Sequence, residues 1–226
     1  MRKVLSQILK WLVVVSGLLG VFISFFTAGL DGYSPWCVRL LYFTTQSNIW
    51  IGVTMLLIVL MPHGKRKNDE KYKRALYTLK YIFSVSITVT GMVFCFLLAP
   101  FADESYRPWS LTSVMTHVLT PVFSVVDLFV DEEKIELNGK NVFATTIPPF
   151  CYFVFAVVLG LCNVDFGRGE TYPYFFLNFH TEVGFFGFAG GDLPQMGSVY
   201  WIVLLLLLIL SLGALYAKLH KVTHKK

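Results

Sequence analysis

A threonine and a histidine in this sequence have the residue types and positions that nucleophilic catalysis needs. Thr44 lies at the start of one long apolar stretch, and His117 lies within another. His117 is about seven residues from the predicted outer end of its helix, a depth of roughly 10 Å at 1.5 Å per residue. A hydroxyl becomes an effective nucleophile when a base removes its proton, and a neutral imidazole suits that transfer. If the two helices are neighbours, the pair predicts attack of Thr44 on an acyl carbon, with His117 as the base.

The residues that follow Thr44 are candidates for orienting the nucleophile and for stabilising negative charge. Thr44 opens a run of polar residues, which is unusual at the entry of an apolar helix. Asn48 is four residues away on the same helix face, so we expect it to orient or hydrogen-bond the Thr44 hydroxyl. Asn48, Gln46 or Ser47 could stabilise a developing oxyanion. Thr45 points roughly 100° away from Thr44 on a helix and stays open as an alternative nucleophile.

Polar residues recur along one face of the helix that contains His117. Ser113, His117, Thr120, Ser124 and Asp127 are spaced by four, three, four and three residues, which places them on one side of a helix. Such a stripe is costly in contact with lipid, so it should face other helices or a wet cavity. We expect Ser113, Thr120 and Ser124 to line that cavity. Asp127 lies roughly 15 Å along the helix from His117, which excludes a catalytic triad that contains both.

The composition indicates an integral membrane protein. Of the 226 residues, 55% are hydrophobic and only 15% are charged, with a mean hydropathy of +0.63. A soluble domain has about 25% charged residues, and one soluble core could not bury so much apolar sequence. The composition therefore argues against most water-soluble enzymes and nucleic-acid-binding proteins. Since roughly 20 apolar residues cross a bilayer, the sequence predicts an all-α bundle of six transmembrane helices in one domain, 1–226, at 11–30, 40–62, 79–100, 109–129, 142–163 and 196–217.

The basic residues assign the two sides of the membrane. Only Arg39, Arg107 and Arg168 of the 19 Lys and Arg residues fall on one side of a six-helix arrangement. The others fall near the termini and near the second and fourth loops. Since Lys and Arg resist translocation, we expect both termini to be cytoplasmic and the protein to lie in a plasma membrane.

The connection at 164–195 is the longest one and is rich in aromatic residues. Loops longer than about 12–15 residues are often lids or binding elements. We expect this one to lie in the membrane interface or to fold back among the helices, where neighbouring protein covers irregular backbone. His180 and Glu182 could then line the entrance of the site.

The sequence predicts no bound metal and no cofactor. His117, His180 and Glu182 lack a helical ligand spacing, and no Cys-x-x-Cys pair occurs. We expect the cysteines to be small buried apolar residues; they are Cys37, Cys95, Cys151 and Cys162. A disulfide between Cys37 and Cys162, which both fall near the predicted outer surface, stays open.

Two short motifs resemble a known family of membrane proteins. Tyr42-Phe43-Thr44 at the head of one helix, and His117 with a proline four residues later in another, resemble the androgen-induced membrane protein family and its bacterial six-span relatives. The stretch 172–175 (Tyr-Pro-Tyr-Phe) and the six-helix plan are also similar to the bacterial branch. The animal proteins are threonine hydrolases that cleave fatty acid esters of hydroxy fatty acids. The resemblance implies Thr44 as nucleophile, His117 as base, a hydrophobic ester substrate and a bacterial plasma membrane.

Two other classes of function fit the same pattern. The polar stripe could line a cavity in a non-catalytic protein that binds or transports a small amphiphile, or it could contact a partner in a structural membrane subunit. Two matching halves with short, Gly- or Pro-broken helices are typical of transporters, and the sequence lacks them. We expect membrane lipids and a hydrophobic ester as partners, and no nucleic acid.

Overall fold

Six long apolar helices dominate the structure, a computed structural model that describes residues 1–31, 35–61, 67–102, 107–167, 169–189 and 195–224. This arrangement confirms the predicted all-α six-helix bundle. We number the helices α1 to α6 in chain order: Arg2–Leu30, Phe43–Leu60, Glu70–Phe101, Leu111–Val130, Gly139–Leu161 and Ser198–Thr223. Each is long and apolar enough to cross a membrane, so the chain has the architecture of a multi-pass integral membrane protein. Arg168 and parts of the second loop and of the 164–195 connection lie outside the described residues.

Two of the helices begin well before their predicted positions, and the other helix ends lie within six residues of the prediction. The first helix extends back to Arg2. The α-helix that contains the start of α3 begins three residues before it, at Lys67, within the basic second loop. The second helix begins at Phe43 because the preceding Trp36–Leu41 forms a 3-10 helix and Tyr42 has extended backbone, with φ −88° and ψ 139°. Thr44 is therefore the second residue of α2.

Three of the helices contain a π-helical turn. These turns are Val15–Leu19 in α1, Phe94–Leu98 in α3 and Met115–Leu119 in α4. Isolated π turns are rare and often mark functional sites. The flanking α-helical segments are Arg2–Val14, Gly20–Thr27, Lys67–Val93, Leu111–Val114 and Thr120–Val130, and 3-10 turns at Ala28–Asp31 and Ala99–Phe101 end α1 and α3.

The fifth helix is divided into two segments, Gly139–Ala144 and Ile147–Leu161. The first is started by a capping box in which the Asn138 side chain accepts hydrogen bonds from the backbone at Lys140 and Asn141. Such a box pairs N–H groups that would otherwise lack acceptors. The second segment begins with prolines in its first turn, where a missing N–H is tolerated.

Helices α1 to α4 pack closely together, and α6 packs against α3 and α4. One buried apolar cluster joins α1, α2 and α3, and a second joins α3, α4 and α6. A third joins α2 and α5 to the outer connection through Phe43, Tyr152 and Phe176. The outer connection is thus part of the packed core rather than a solvated loop.

The outer connection folds back onto the bundle in its described parts. Phe166 is fully buried, and Phe176 and Leu177 are 6% exposed. The latter two belong to the 3-10 turn Phe175–Leu177. Two short antiparallel strands, β1 (Phe188–Ala189) and β2 (Gln195–Met196), follow it and pair Phe188 with Met196.

A network of buried charges lies at the end of the bundle that is predicted to be cytoplasmic. Lys10 of α1 is 2.7 Å from Asp131 and 3.3 Å from Asp127. Lys80 of α3 is 2.5 Å from Asp127 and 2.6 Å from Asp131. The Ser6 hydroxyl donates to Asp127 at 2.6 Å. Because two ammonium groups balance two carboxylates, the network can stay charged while buried.

Candidate active site

Thr44 and His117 are in contact across the interface between α2 and α4. The Thr44 Oγ1 atom lies 3.2 Å from Nε2 of His117. The histidine is 8% exposed, and Thr44 is partly buried. The two side chains are within the distance at which a hydroxyl can transfer a proton to a base.

The other ring nitrogen of His117 defines which nitrogen bears the proton. Nδ1 lies 3.0 Å from the carbonyl oxygen of Ser113, and a carbonyl can only accept. Nδ1 must therefore donate, so in the neutral imidazole Nε2 is the acceptor. Nδ1 is also 3.2 Å from the Thr116 hydroxyl, which itself donates to the Thr112 carbonyl at 2.8 Å. The Thr44 hydroxyl consequently donates to Nε2, the direction that general-base catalysis requires.

The π turn of α4 and a glycine of α3 position His117. Within the turn, the Thr120 N–H donates to the Met115 carbonyl five residues earlier. Pro121 has no N–H, so the His117 carbonyl lacks its usual helical donor. That carbonyl faces Gly91, where an added Cβ would lie 2.7 Å from it. Only a glycine at this position allows α3 to approach so closely.

The N-terminus of α2 surrounds Thr44 with backbone donors. The first backbone hydrogen bond of the helix runs from the Gln46 N–H to the Tyr42 carbonyl, at 3.1 Å. The N–H groups of Phe43, Thr44 and Thr45 precede it and have no acceptor within the helix. The Thr44 N–H points to the Tyr174 hydroxyl at 3.4 Å. These donors, together with the positive end of the helix dipole, favour negative charge next to the Thr44 hydroxyl.

A polar cavity of about 370 Å³ contains both Thr44 and His117. Its walls come from α1, α2, α4, the end of α3 and the outer connection. Arg39 and Glu170 are its charged lining residues. Ser113 lines this cavity, as predicted. Thr45 lines it too, but the hydrogen bond to the histidine is made by Thr44.

A second, apolar cavity of about 80 Å³ adjoins the first at Thr44. It lies between α2, α3, α5 and α6. Thr44, Leu98 and Tyr174 line both cavities, whereas His117 lines only the polar one. The nucleophile candidate therefore lies at a boundary between a polar and an apolar space.

The three residues predicted to orient Thr44 or to stabilise an oxyanion have other partners. The Asn48 amide donates to the backbone carbonyls of Thr44 (2.8 Å) and Thr116 (3.1 Å), not to the Thr44 hydroxyl. Gln46 turns outward and donates to the Leu40 carbonyl. Ser47 contacts Thr90 of α3 at 2.9 Å. Asn48 thus links α2 to α4, and each of the three side chains has a partner other than the Thr44 hydroxyl.

Four of the predicted cavity residues lie elsewhere. Thr120 donates to Ser16 at 2.8 Å, and Ser124 contacts Ser84 at 2.8 Å; both are fully buried between helices. His180 and Glu182 are exposed, at positions 180–182 of the outer connection, and neither lines either cavity. All five residues of the polar stripe on α4 are buried, but only the two nearest the start of the helix, Ser113 and His117, line the polar cavity.

The sequence signals missed Tyr174 and the first turn of α2 as parts of the site, because both depend on how distant segments pack.

The prediction that the cysteines are buried is wrong: Cys37, Cys151 and Cys162 are exposed and Cys95 is partly exposed, all as free thiols. Small apolar side chains can face lipid as readily as a protein core. In the described part of the chain, no three side chains of His, Cys, Asp or Glu come together in a way that could bind a metal ion.

The fold and the site define a class of protein: a six-helix membrane protein with a hydrogen-bonded threonine–histidine pair in a polar cavity. Comparison of the chain with protein-family models, with curated proteins and with solved structures found no match.

Proposed function

We propose that the protein is an intramembrane threonine hydrolase that cleaves a lipid-like carboxylic ester, with Thr44 as nucleophile and His117 as base. The observation that supports this most directly is the hydrogen bond from Thr44 Oγ1 to His117 Nε2, with Nδ1 bound to the Ser113 carbonyl. A histidine that only filled space between helices would not need its free nitrogen directed at a hydroxyl inside a cavity.

The reaction has two halves. In the first, the Thr44 oxygen attacks the acyl carbon while His117 Nε2 takes the hydroxyl proton. The oxyanion is stabilised by the N–H groups at the start of α2 that have no acceptor within the helix, and by the Tyr174 hydroxyl. When the bond between the acyl carbon and the alcohol oxygen breaks, His117 returns the proton to that oxygen. An acyl-threonine ester and a free alcohol result.

In the second half, water attacks the acyl-threonine. His117 takes one proton from the water, and the Thr44 oxygen leaves and is protonated by the same imidazole. The products are a carboxylic acid and the original hydroxyl. Asp127 does not assist the histidine, because it is bound by Lys10 and Lys80 at the other end of α4. The Ser113 carbonyl, 3.0 Å from Nδ1, orients the ring instead.

The surroundings of the site favour an amphiphilic ester. The polar cavity is lined by the outer connection, and the adjoining apolar cavity lies among helices that face lipid. The resemblance to the androgen-induced membrane protein family supports fatty acid esters of hydroxy fatty acids as candidate substrates and a bacterial plasma membrane as the location.

A fluorophosphonate probe tests the proposal on detergent-purified protein. The probe forms a phosphorus–oxygen bond to an activated hydroxyl and releases fluoride. We expect labelling at Thr44, its loss in Thr44→Ala, and a decrease of at least about 100-fold in rate in His117→Ala. Thr45→Ala is the matched control, since Thr45 lines the same cavity without contacting the histidine, and it should keep its labelling.

The alternative is a non-catalytic protein that binds a small amphiphile in the polar cavity. The size of that cavity, about 370 Å³, is within the range of ligand sites. This function would be favoured if a folded, monodisperse sample showed no labelling, and if binding of a fluorescent fatty acid were the same in the wild type and in Thr44→Ala. Labelling that persists in Thr44→Ala and disappears in Thr45→Ala would instead assign the nucleophile to Thr45.

A further inference from the structure

We infer that the apolar cavity beside Thr44 receives the acyl chain of the ester, while the polar cavity receives the alcohol part. This inference rests on the proposed function of the Thr44–His117 pair and adds the orientation of the substrate to it. It follows from three features: the position of Thr44 between the cavities, the side on which His117 lies, and the chemistry of the two linings.

The position of His117 decides the orientation. The imidazole must return its proton to the leaving alcohol oxygen, so that oxygen has to lie near Nε2 when the tetrahedral intermediate breaks down. His117, whose Nε2 contacts the Thr44 hydroxyl, lines the polar cavity and does not line the apolar one. The alcohol therefore leaves into the polar cavity, and the acyl chain, on the other side of the carbonyl carbon, extends into the apolar cavity.

The lining of the apolar cavity suits a hydrocarbon chain. No charged side chain is among the described residues that line it. Thr90, one of its few polar members, donates to the Ser86 carbonyl and contacts the Ser47 hydroxyl. Its polar atom is thus already paired and offers a ligand little beyond packing. Burial of each methylene group against such walls contributes about 0.8 kcal/mol in transfer free energy, roughly a fourfold gain in affinity.

The polar cavity has the opposite character. Arg39, Glu170 and Tyr172 line it, along with the hydroxyls of Thr112 and Thr116. An alcohol with further polar groups can exchange hydrogen bonds with this lining, whereas an alkyl chain offers it none.

The apolar cavity has a direction and an opening. On α6 it is lined by Ile202, Leu205 and Ile209. The first and last of these are seven residues apart, which corresponds to roughly 10 Å along the helix. Pro149 and Phe150 of α5 also line it, and Phe150 is 50% exposed. The chain can therefore enter sideways from the hydrocarbon of the bilayer and need not pass through the polar cavity.

A matched pair of substitutions on α6 tests this orientation. Leu205→Trp fills the middle of the apolar cavity, whereas Leu204→Trp places the same side chain at the neighbouring, 51% exposed position on the outside. The substrates are p-nitrophenyl acetate and p-nitrophenyl octanoate, which share the alcohol and differ in the acyl chain. We expect Leu205→Trp to lower kcat/KM for the octanoate relative to the acetate by at least about tenfold, and Leu204→Trp to leave the ratio unchanged.

Octyl acetate distinguishes the two orientations, because its long chain is on the alcohol. We expect Leu205→Trp to change kcat/KM for octyl acetate by no more than it changes kcat/KM for p-nitrophenyl acetate. If Leu205→Trp still hydrolyses p-nitrophenyl acetate, the variant is folded. If this hydrolysis is lost, the test is repeated with Val93→Phe, which narrows the same cavity from α3.

The outcomes separate the two levels of the argument. If the wild type hydrolyses these esters through Thr44 and the acyl-chain preference is unaffected by both cavity variants, the acyl-chain inference is wrong and the hydrolase proposal stands. If octyl acetate is the sensitive substrate, the orientation is reversed and the inference is overturned. If folded wild type neither hydrolyses any ester nor reacts with the fluorophosphonate, the proposed function itself fails.

Discussion

The phenyl ring of Phe94 lies flat against the imidazole of His117, with ring centroids 3.9 Å apart and an angle of 18° between the planes. Phe94 is fully buried, and Trp109 contacts it edge-on with centroids 5.8 Å apart. Phe94 thus covers one face of the imidazole, while the Nε2 edge contacts Thr44. The orientation of the candidate base thus depends on α3 as well as on its own helix.

Replacing Phe94 by leucine should slow the reaction of Thr44 without removing either reacting group. The flat surface that aligns the imidazole would be lost, and we expect the rate of fluorophosphonate labelling to fall about tenfold, since misplacement of a catalytic group by about 1 Å can cost up to 100-fold. Phe83→Leu is the control, because Phe83 lies on the same helix and stacks on Trp50 instead. Equal rates in the two variants would show that the stacking has no role in positioning His117.

An alanine at position 91 should disturb both the fold and the site. Its Cβ would lie 2.7 Å from the His117 carbonyl oxygen and 3.1 Å from Pro121 Cγ, so α3 and α4 would have to move apart. Overpacking of this kind costs about 1–3 kcal/mol. We expect a lower Tm in detergent, together with slower labelling of Thr44.

The control for this change is Gly29→Ala, where nothing lies within 4 Å of the added atom. Its Tm and labelling should stay near those of the wild type. A Gly91→Ala protein with an unchanged Tm would mean that the two helices separate at no cost, and the close approach at the His117 carbonyl would then have no structural importance.

The sequence was sufficient for the six helices and for the inward face of α4, because hydropathy and the helical repeat depend only on local spacing. It also placed Thr44 and His117 at matching depths. It could not identify which groups surround the hydroxyl. Tyr174 reaches Thr44 from 130 residues away, and the N–H groups beside it became available only because α2 begins at Phe43.

The polar residues of α4 illustrate the same limit. Their spacing predicts one polar face, and all are buried, yet their partners differ along the helix. Thr120 pairs with α1, Ser124 with α3, and Asp127 with two lysines. A repeat identifies the side of a helix that avoids lipid, but the neighbours on that side decide whether each group lines a cavity or closes a contact.

Breaking the buried charge network should destabilise the protein strongly. Lys80→Met would leave Asp127 and Asp131 with only Lys10 as a cationic partner, and loss of one partner of a buried ion pair costs about 3–5 kcal/mol. Thermal or denaturant unfolding in detergent measures the effect. Lys73→Met is the control: its partner Glu133 is 2.6 Å away, but both side chains are about 30% exposed, and such pairs contribute about 0–1 kcal/mol. Similar losses in the two variants would contradict a special role of the buried network.

Acid should weaken the same network through Asp131. Burial alone would raise the pKa of this carboxyl, but the ammonium groups of Lys80 and Lys10 outweigh burial and hold the pKa well below its usual range. A lowered pKa in the folded state means that the carboxylate stabilises the fold above the pKa of the unfolded chain, about 3.9. That stabilisation is lost as the pH falls below this value.

We therefore expect the Tm of the wild type in detergent to fall as the pH is lowered from about 5 to about 3. Asp131→Asn should have a lower Tm at neutral pH, because Lys80 loses a partner at 2.6 Å and Lys10 one at 2.7 Å, but its Tm should vary less over the acidic range. Glu133→Gln, which alters only the exposed pair with Lys73, should keep the pH dependence of the wild type. A wild-type Tm that is as insensitive to acid as that of Asp131→Asn would mean that the ionised carboxylate of Asp131 contributes nothing to stability, and that the lysines are held in the bundle by Asp127 alone.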